Sequence, residues 1–222
     1  MTTMLDGPRR GARSGKADSL VVLLHGHFAS GEDLIALADL MADSLPGAAF
    51  ASPDAVEQMA YPGPPAYRWF ELDRRDPDEY ISGTRVAAPV LERFLDAELQ
   101  RLGLPPERLA LVGFSQGTMM ALHVGLRREI APAAIVGLSG VIAGADKLRD
   151  EIASRPPVLL VHGSADDVIP VGALHLTRDA LSAAAVPVDC HVRQGLGHGI
   201  DDDVVDRTQA FLARHLPAPG MT

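Results

Sequence analysis

The chain has a single cysteine, Cys190, in 222 residues, so no internal disulfide can form and the fold does not rely on an oxidising compartment. Basic residues are also in short supply: 20 Lys and Arg face 29 Asp and Glu, a formal net charge of -9. A phosphate backbone wants a positive surface, so the balance argues against nucleic acid as a partner. Aromatics make up only 5% of the chain, and no apolar stretch approaches the ~18 residues of a membrane span. The arginine pair Arg9-Arg10 resembles part of an export signal, yet polar residues follow it and the apolar run at 20–24 is too short for a cleavable core. The expectation is a cytoplasmic chain with no stable membrane insertion.

What is present is an alternation of strand-like and helix-like segments. The length suits one domain with a sizeable core. Residues 1–18 are polar, at most a short edge strand, and 19–222 are expected to form a single domain. Residues 19–24 read as a buried parallel strand, and Leu34, Ile35, Leu37, Ala38 and Met41 mark a helix over 32–44. A short strand at 48–51 leads into the least regular part, residues 52–82, which holds five prolines between Pro53 and Pro77 together with Tyr61, Tyr67, Trp69 and Phe70. Two readings of it stand side by side: a functional loop, or an aromatic cluster that seals the sheet edge. Beyond it come an amphipathic helix at 84–103, strands at 109–114, 133–138, 158–162 and 188–193, and helices at 116–129, 146–153, 171–184 and 203–216. Such alternation builds an α/β fold, a mostly parallel central sheet with helices on both faces.

One stretch carries the chemistry. Residues 109–120 read LALVGFSQGTMM, an apolar strand that stops at Gly-Phe-Ser-Gln-Gly and turns into a helix. That is the pattern of a nucleophile elbow, where Gly113 and Gly117 leave room for a tight turn and Ser115 projects above the sheet. The backbone N–H of Gln116, at the helix opening, can hold an oxyanion. Ligands of open parallel sheets bind beyond the carboxyl ends of the strands, so the partners of Ser115 must lie in strand-to-helix loops. Of the eight histidines, His198 fits best, flanked by Gly197 and Gly199 between the last strand and the last helix. His25 and His162 end strands, where packing or hydrogen bonding is expected of them. Asp166 or Asp167 can orient the imidazole, the other serving as a helix cap. A second oxyanion donor is the N–H of His27 or Phe28. The pair His25-x-His27 lacks neighbouring ligands, so no metal is expected.

Several stretches resemble the phospholipase/carboxylesterase family of α/β-hydrolases, which also includes the acyl-protein thioesterases. They are Leu23-Leu24-His25-Gly26, Ala29-x-Gly31-Glu32-Asp33-Leu34, Arg68-Trp69-Phe70, Gly113-Phe-Ser-Gln-Gly117, Val161-His162-Gly163-x-x-Asp166 and Gly197-His198. The resemblance implies an α/β-hydrolase fold, and the length of the chain leaves little room for a separate lid domain. It also implies Ser115 as nucleophile, His198 as base, Asp166 rather than Asp167 as acid, and the N–H groups of His27 and Gln116 as oxyanion hole. The sequence departs from the pattern in two places: His27 and bulky Phe28 stand where the family has an apolar or aromatic residue and then glycine, and Asp167 where it has proline. The activity expected is hydrolysis of short- to medium-chain carboxylic esters by a serine carboxylesterase, through an acyl-enzyme and without a cofactor. The cleft is expected to be edged by Phe28, Trp69, Phe70 and Met119. Lysophospholipids and acyl-protein thioesters are alternative substrates, an inactive hydrolase-like binding protein is an alternative of another class, and a homodimer is compatible with all of these.

Overall fold

The computed structural model describes residues 4–60 and 62–216; Tyr61, named above among the aromatics, lies outside them. The chain opens with β1 (Arg9–Arg10) and β2 (Ser19–Leu24), followed by α1 (Gly31–Met41) and β3 (Ala48–Ala51). A small hairpin, β4 (Glu57–Gln58) and β5 (Tyr67–Arg68), precedes the long helix α2 (Pro77–Leu102). Then come β6 (Leu109–Phe114), α3 (Gln116–Gly125), β7 (Ala134–Leu138), the short α4 (Leu148–Glu151), β8 (Val158–Gly163), α5 (Gly172–Ala183), β9 (Val188–Arg193) and α6 (Asp202–His215). The main sheet has seven strands in the order β1-β3-β2-β6-β7-β8-β9, parallel throughout except for β1, which pairs antiparallel with β3.

Every residue of β2 is buried because helices cover both faces of the sheet. Side chains alternate with period two: Leu20, Val22 and Leu24 pack with Leu91, Phe94, Met120 and Leu181, from α2, α3 and α5. Val21 and Leu23 point the other way, to Ile35, Met41, Phe211 and Leu212 of α1 and α6. Each such leucine contributes roughly 2 kcal/mol by leaving water. All ten residues of α3 are buried, the mark of a helix in the middle of the molecule.

Helix α2 begins two turns earlier than the apolar spacing indicates. Asp76 caps it by accepting the N–H of Glu79 at 2.8 Å, and Pro77 occupies the first turn, where a missing N–H costs nothing. The early turns are polar, so periodicity could not register them; the Asp76-Pro77 cap is the signal that does. Helix α4 is shorter than the residues 146–153 suggest. The N-terminal strand is fastened by Arg9, whose Nε and Nη2 donate to Oε1 of Glu98 at 3.0 and 2.9 Å, while Arg101 Nη2 donates to the Oε2 of the same buried carboxylate at 2.7 Å.

His123 sits in α3 with 4% of its surface exposed, and its Nδ1 has no hydrogen-bond partner among the described residues. Burial, assisted by the Arg127 charge, lowers its pKa from 6.5 to about 4. The unfolded chain therefore takes up a proton near 6.5 that the folded chain refuses until about 4, and stability present above 6.5 is lost as pH falls. Urea unfolding followed across that window should show a loss of stability that His123→Leu reduces by about 3 kcal/mol. An unchanged pH slope in the variant would remove His123 as the cause.

Candidate active site

Strand order reverses at β2, which has β3 on one side and β6 on the other, so the loops leaving β2 and β6 part above the sheet and open a crevice. The loop after β6 is a single residue, Ser115, with φ 54° and ψ -115°. This left-handed strain is held by close packing. A Cβ on Gly113 would stand 2.2 Å from the Gly117 carbonyl oxygen, and one on Gly117 would stand 1.9 Å from the carbonyl oxygen of Leu24. Only glycine allows the elbow to rest against the end of β2. Ser115 N–H donates to the Leu138 carbonyl at 2.8 Å, tying the turn to β7 as well.

Asp166 follows β8, and its carboxylate is buried. Oδ2 accepts from His198 Nδ1 at 2.8 Å, while Oδ1 accepts the N–H groups of Val168 and Ile169 at 3.0 and 2.8 Å. Burial alone would raise its pKa, but the hydrogen bonds from His198 and from the Ile169 and Val168 amides outweigh it, so the carboxyl is held below 3.8. The exposed Asp167 plays neither role: Asp166 caps its own loop and holds the imidazole at once. His162 Nε2 lies 2.8 Å from the Ile169 carbonyl and 3.3 Å from Asp166 Oδ2, bracing that loop from beneath.

The His198 ring packs on Phe114, with centroids 4.9 Å apart. Ser115 and His198 line the same cavity of about 190 Å³, together with His27, Leu72, Arg75, Tyr80, Gln116, Met119, Val168 and Ile169. No hydrogen bond joins the Ser115 hydroxyl to His198 in this structure; catalytic hydrogen bonds of this type commonly tighten only with substrate in place. Roomier surface hollows exist elsewhere, for example beside Glu92 and Arg127, but they hold none of this chemistry.

The loop after β2 distinguishes the two candidate donors. Phe28 N–H is committed to the Tyr67 carbonyl at 3.0 Å, whereas the His27 N–H has no partner among the described residues. Phe28 adopts φ 64°, a conformation natural to glycine, which explains how a bulky residue stands there with the turn preserved. His25 serves structure: Nδ1 lies 2.7 Å from the Gly26 carbonyl, Nε2 accepts the Ala55 N–H at 3.0 Å, and burial lowers its pKa. Burial, then the Arg68 and Arg75 charges, likewise lowers the pKa of His27.

A model of the phospholipase/carboxylesterase family matches residues 11–216. The chain belongs to that family. Among its relatives, acyl-protein thioesterase 1 of Gibberella zeae is 29% identical over 161 residues, covering 67% of this chain and 68% of the relative. Several further thioesterases are covered over less than two thirds of their length. Esterase YpfH of Escherichia coli is 24% identical over 203 residues, covering 90% of this chain and 82% of that one. The crystal structure of esterase PE8 superposes with a TM-score of 0.91 at 43% identity, covering 96% of this chain and 100% of that one. The architecture is thus the α/β-hydrolase fold, and among the described residues no separate lid domain is present.

In this family member the residues expected at the site fall into two groups. Ser115, Asp166, His198, His27, Gln116 and Met119 converge; Phe28, Trp69 and Phe70 do not line the cavity. Trp69 and Phe70 are 1% and 4% exposed and belong to the core, and Phe28 is 46% exposed. Aromatic rings on an irregular segment are drawn into the core because burial of that much apolar surface outweighs display. Leu72, Arg75, Tyr80, Val168 and Ile169 were missed; Leu72 follows the motif residue Phe70, and Val168 and Ile169 follow Asp166.

Gln116 has a second task in its side chain. Its Oε1 accepts the Trp69 N–H at 2.9 Å and its Nε2 donates to the Phe70 carbonyl at 2.8 Å, both buried. Gln116→Ala should cost roughly 2–4 kcal/mol in urea denaturation, since two buried backbone groups lose their partners. An unaltered midpoint would show that the clamp carries nothing. For Asp166, a carboxyl ¹³C NMR titration should find the group still ionised at pH 3.8, with its contribution lost only below that; protonation above 3.8 would overturn the account.

Proposed function

We propose that the protein is a serine carboxylesterase that hydrolyses short- to medium-chain carboxylic esters, carried out by one catalytic domain. The observation that carries this reading is the buried Asp166–His198 hydrogen bond of 2.8 Å beside a serine on a strained turn in the same small cavity. Ser115 Oγ attacks the ester carbonyl while His198 Nε2 takes its proton. The ionised Asp166 keeps Nδ1 protonated and steadies the imidazolium. The carbonyl oxygen becomes an oxyanion received by the His27 and Gln116 N–H groups. His198 then returns the proton to the leaving alcohol, and an acyl-enzyme remains. Water activated by the same imidazole attacks it and releases the acid, restoring Ser115. The chemistry requires no cofactor.

The cavity favours small substrates. At about 190 Å³ it lies below the ~300 Å³ where pockets for drug-sized ligands begin, and Leu72, Met119, Val168 and Ile169 give it an apolar wall. The thioesterases among the relatives support a second reading, cleavage of acyl thioesters by the same acyl-enzyme. Comparing kcat/KM on p-nitrophenyl esters, acyl thioesters and lysophospholipids separates the readings; the ester reading expects the first to lead.

Ser115→Ala should lower kcat on the order of a millionfold. A loss under tenfold would exclude Ser115 as nucleophile, and failure of a fluorophosphonate to label Ser115 would favour a non-catalytic binding protein instead.

A further inference from the structure

One charged side chain in the cavity wall is not used by the chemistry above. Arg75 sits just before α2 with φ 54°, a strained conformation for arginine, and the surroundings hold it there. Glu79 accepts the N–H groups of Asp73, Arg74 and Arg75, at 2.9, 3.1 and 2.7 Å, and the Tyr80 hydroxyl donates to the Arg75 carbonyl at 2.9 Å. The backbone beneath the guanidinium is thereby pinned at four points.

The neighbouring arginines are engaged. Arg74 pairs with Asp76 at 3.1 Å, and Asp76 also caps α2. Arg68 pairs with Glu57 at 2.7 Å and Glu71 at 3.1 Å. Glu79 is occupied by the backbone it gathers. Arg75 alone among these arginines has no carboxylate partner among the described residues, and it lines the cavity that holds Ser115 and His198. Burial disfavours the charged form of His27, across the same cavity, so Arg75 is the stronger partner there for an anion. A guanidinium left unpaired at the wall of a small reactive pocket, in a protein whose net charge is -9, is a receptor for an anionic group.

We infer that Arg75 selects esters that carry an anionic group, a carboxylate or a phosphate, a short distance from the scissile bond. This rests on the serine-esterase reading and adds a substrate class to it. The anion accepts from the guanidinium fork while the ester carbonyl reaches Ser115, so the charge orients the bond as well as adding affinity.

The test compares kcat/KM for monomethyl adipate and 2-(butanoyloxy)ethyl phosphate with that for neutral dimethyl adipate and methyl hexanoate, in the native protein and in Arg75→Gln, Arg75→Lys and Arg74→Gln. The native protein should prefer at least one anionic ester by about tenfold, and which of the two it prefers separates carboxylate from phosphate recognition. Arg75→Gln should abolish the preference mainly through KM, Arg75→Lys should keep part of it, and Arg74→Gln should keep it whole. Raising ionic strength from roughly 0.01 M to 1 M should shrink the native preference, because the Debye length falls from about 30 Å to about 3 Å. Equal turnover of charged and neutral esters by the native protein, or a preference that survives Arg75→Gln, overturns the inference and leaves the esterase reading standing. Absence of hydrolysis of every ester overturns both.

Discussion

A contact between two stretches of backbone with no room for a methyl group between them underlies the site. Where Gly117 rests on the end of β2, an added Cβ would lie 1.9 Å from the Leu24 carbonyl oxygen, closer than any real contact. That approach locks the elbow of β6 against the strand that carries the His25–His27 loop. It brings the strained serine and the backbone N–H groups of His27 and Gln116 together before any side chain is considered. Gly26 repeats the device, since a Cβ there would meet Ser115 Cβ at 3.2 Å. The geometry of the cavity depends on backbone placement first and on side chains second.

The segment from Ala66 to Phe70 works as a splint across these two loops. Tyr67 exchanges backbone hydrogen bonds with the loop after β2, accepting from Phe28 and donating to Ala29 at 3.0 and 2.8 Å. Two residues on, Trp69 and Phe70 are clasped by the Gln116 side chain, and Trp69 Nε1 donates to the His25 carbonyl at 2.9 Å. One short stretch therefore couples the His27 loop to the head of α3. The buried indole and phenyl rings give it the apolar anchorage that a bare loop lacks. Within residues 52–82, Trp69 and Phe70 are core residues as well as a splint: they pack over the ends of the central strands β2 and β6, not at a sheet edge.

Electrostatics follow the same economy of partners. A buried carboxylate is costly unless it is paired, and Asp166 stays ionised by gathering one imidazole and two amides. Glu98 is kept buried by Arg9 and Arg101. Arg75 is exposed and lines the cavity without a carboxylate partner among the described residues, which is why we infer that a substrate anion pairs with it.

The sequence by itself determined the layered fold, its strand and helix order, and the motif residues at the strand ends. Period-two and period-3.6 apolar patterns and glycine-bounded turns are local properties that need no neighbour to be visible. It did not determine the early turns of α2, whose polar face carries no apolar rhythm, or which of Asp166 and Asp167 meets the imidazole on residue evidence alone. Nor could it place Trp69 and Phe70 in the core, commit the Phe28 amide to Tyr67, or put Arg75 and Ser115 on one cavity. Each of these is a contact between segments distant in sequence, and which groups meet is decided only when the strands pair and the helices pack, because one buried side chain's position depends on all the surfaces around it.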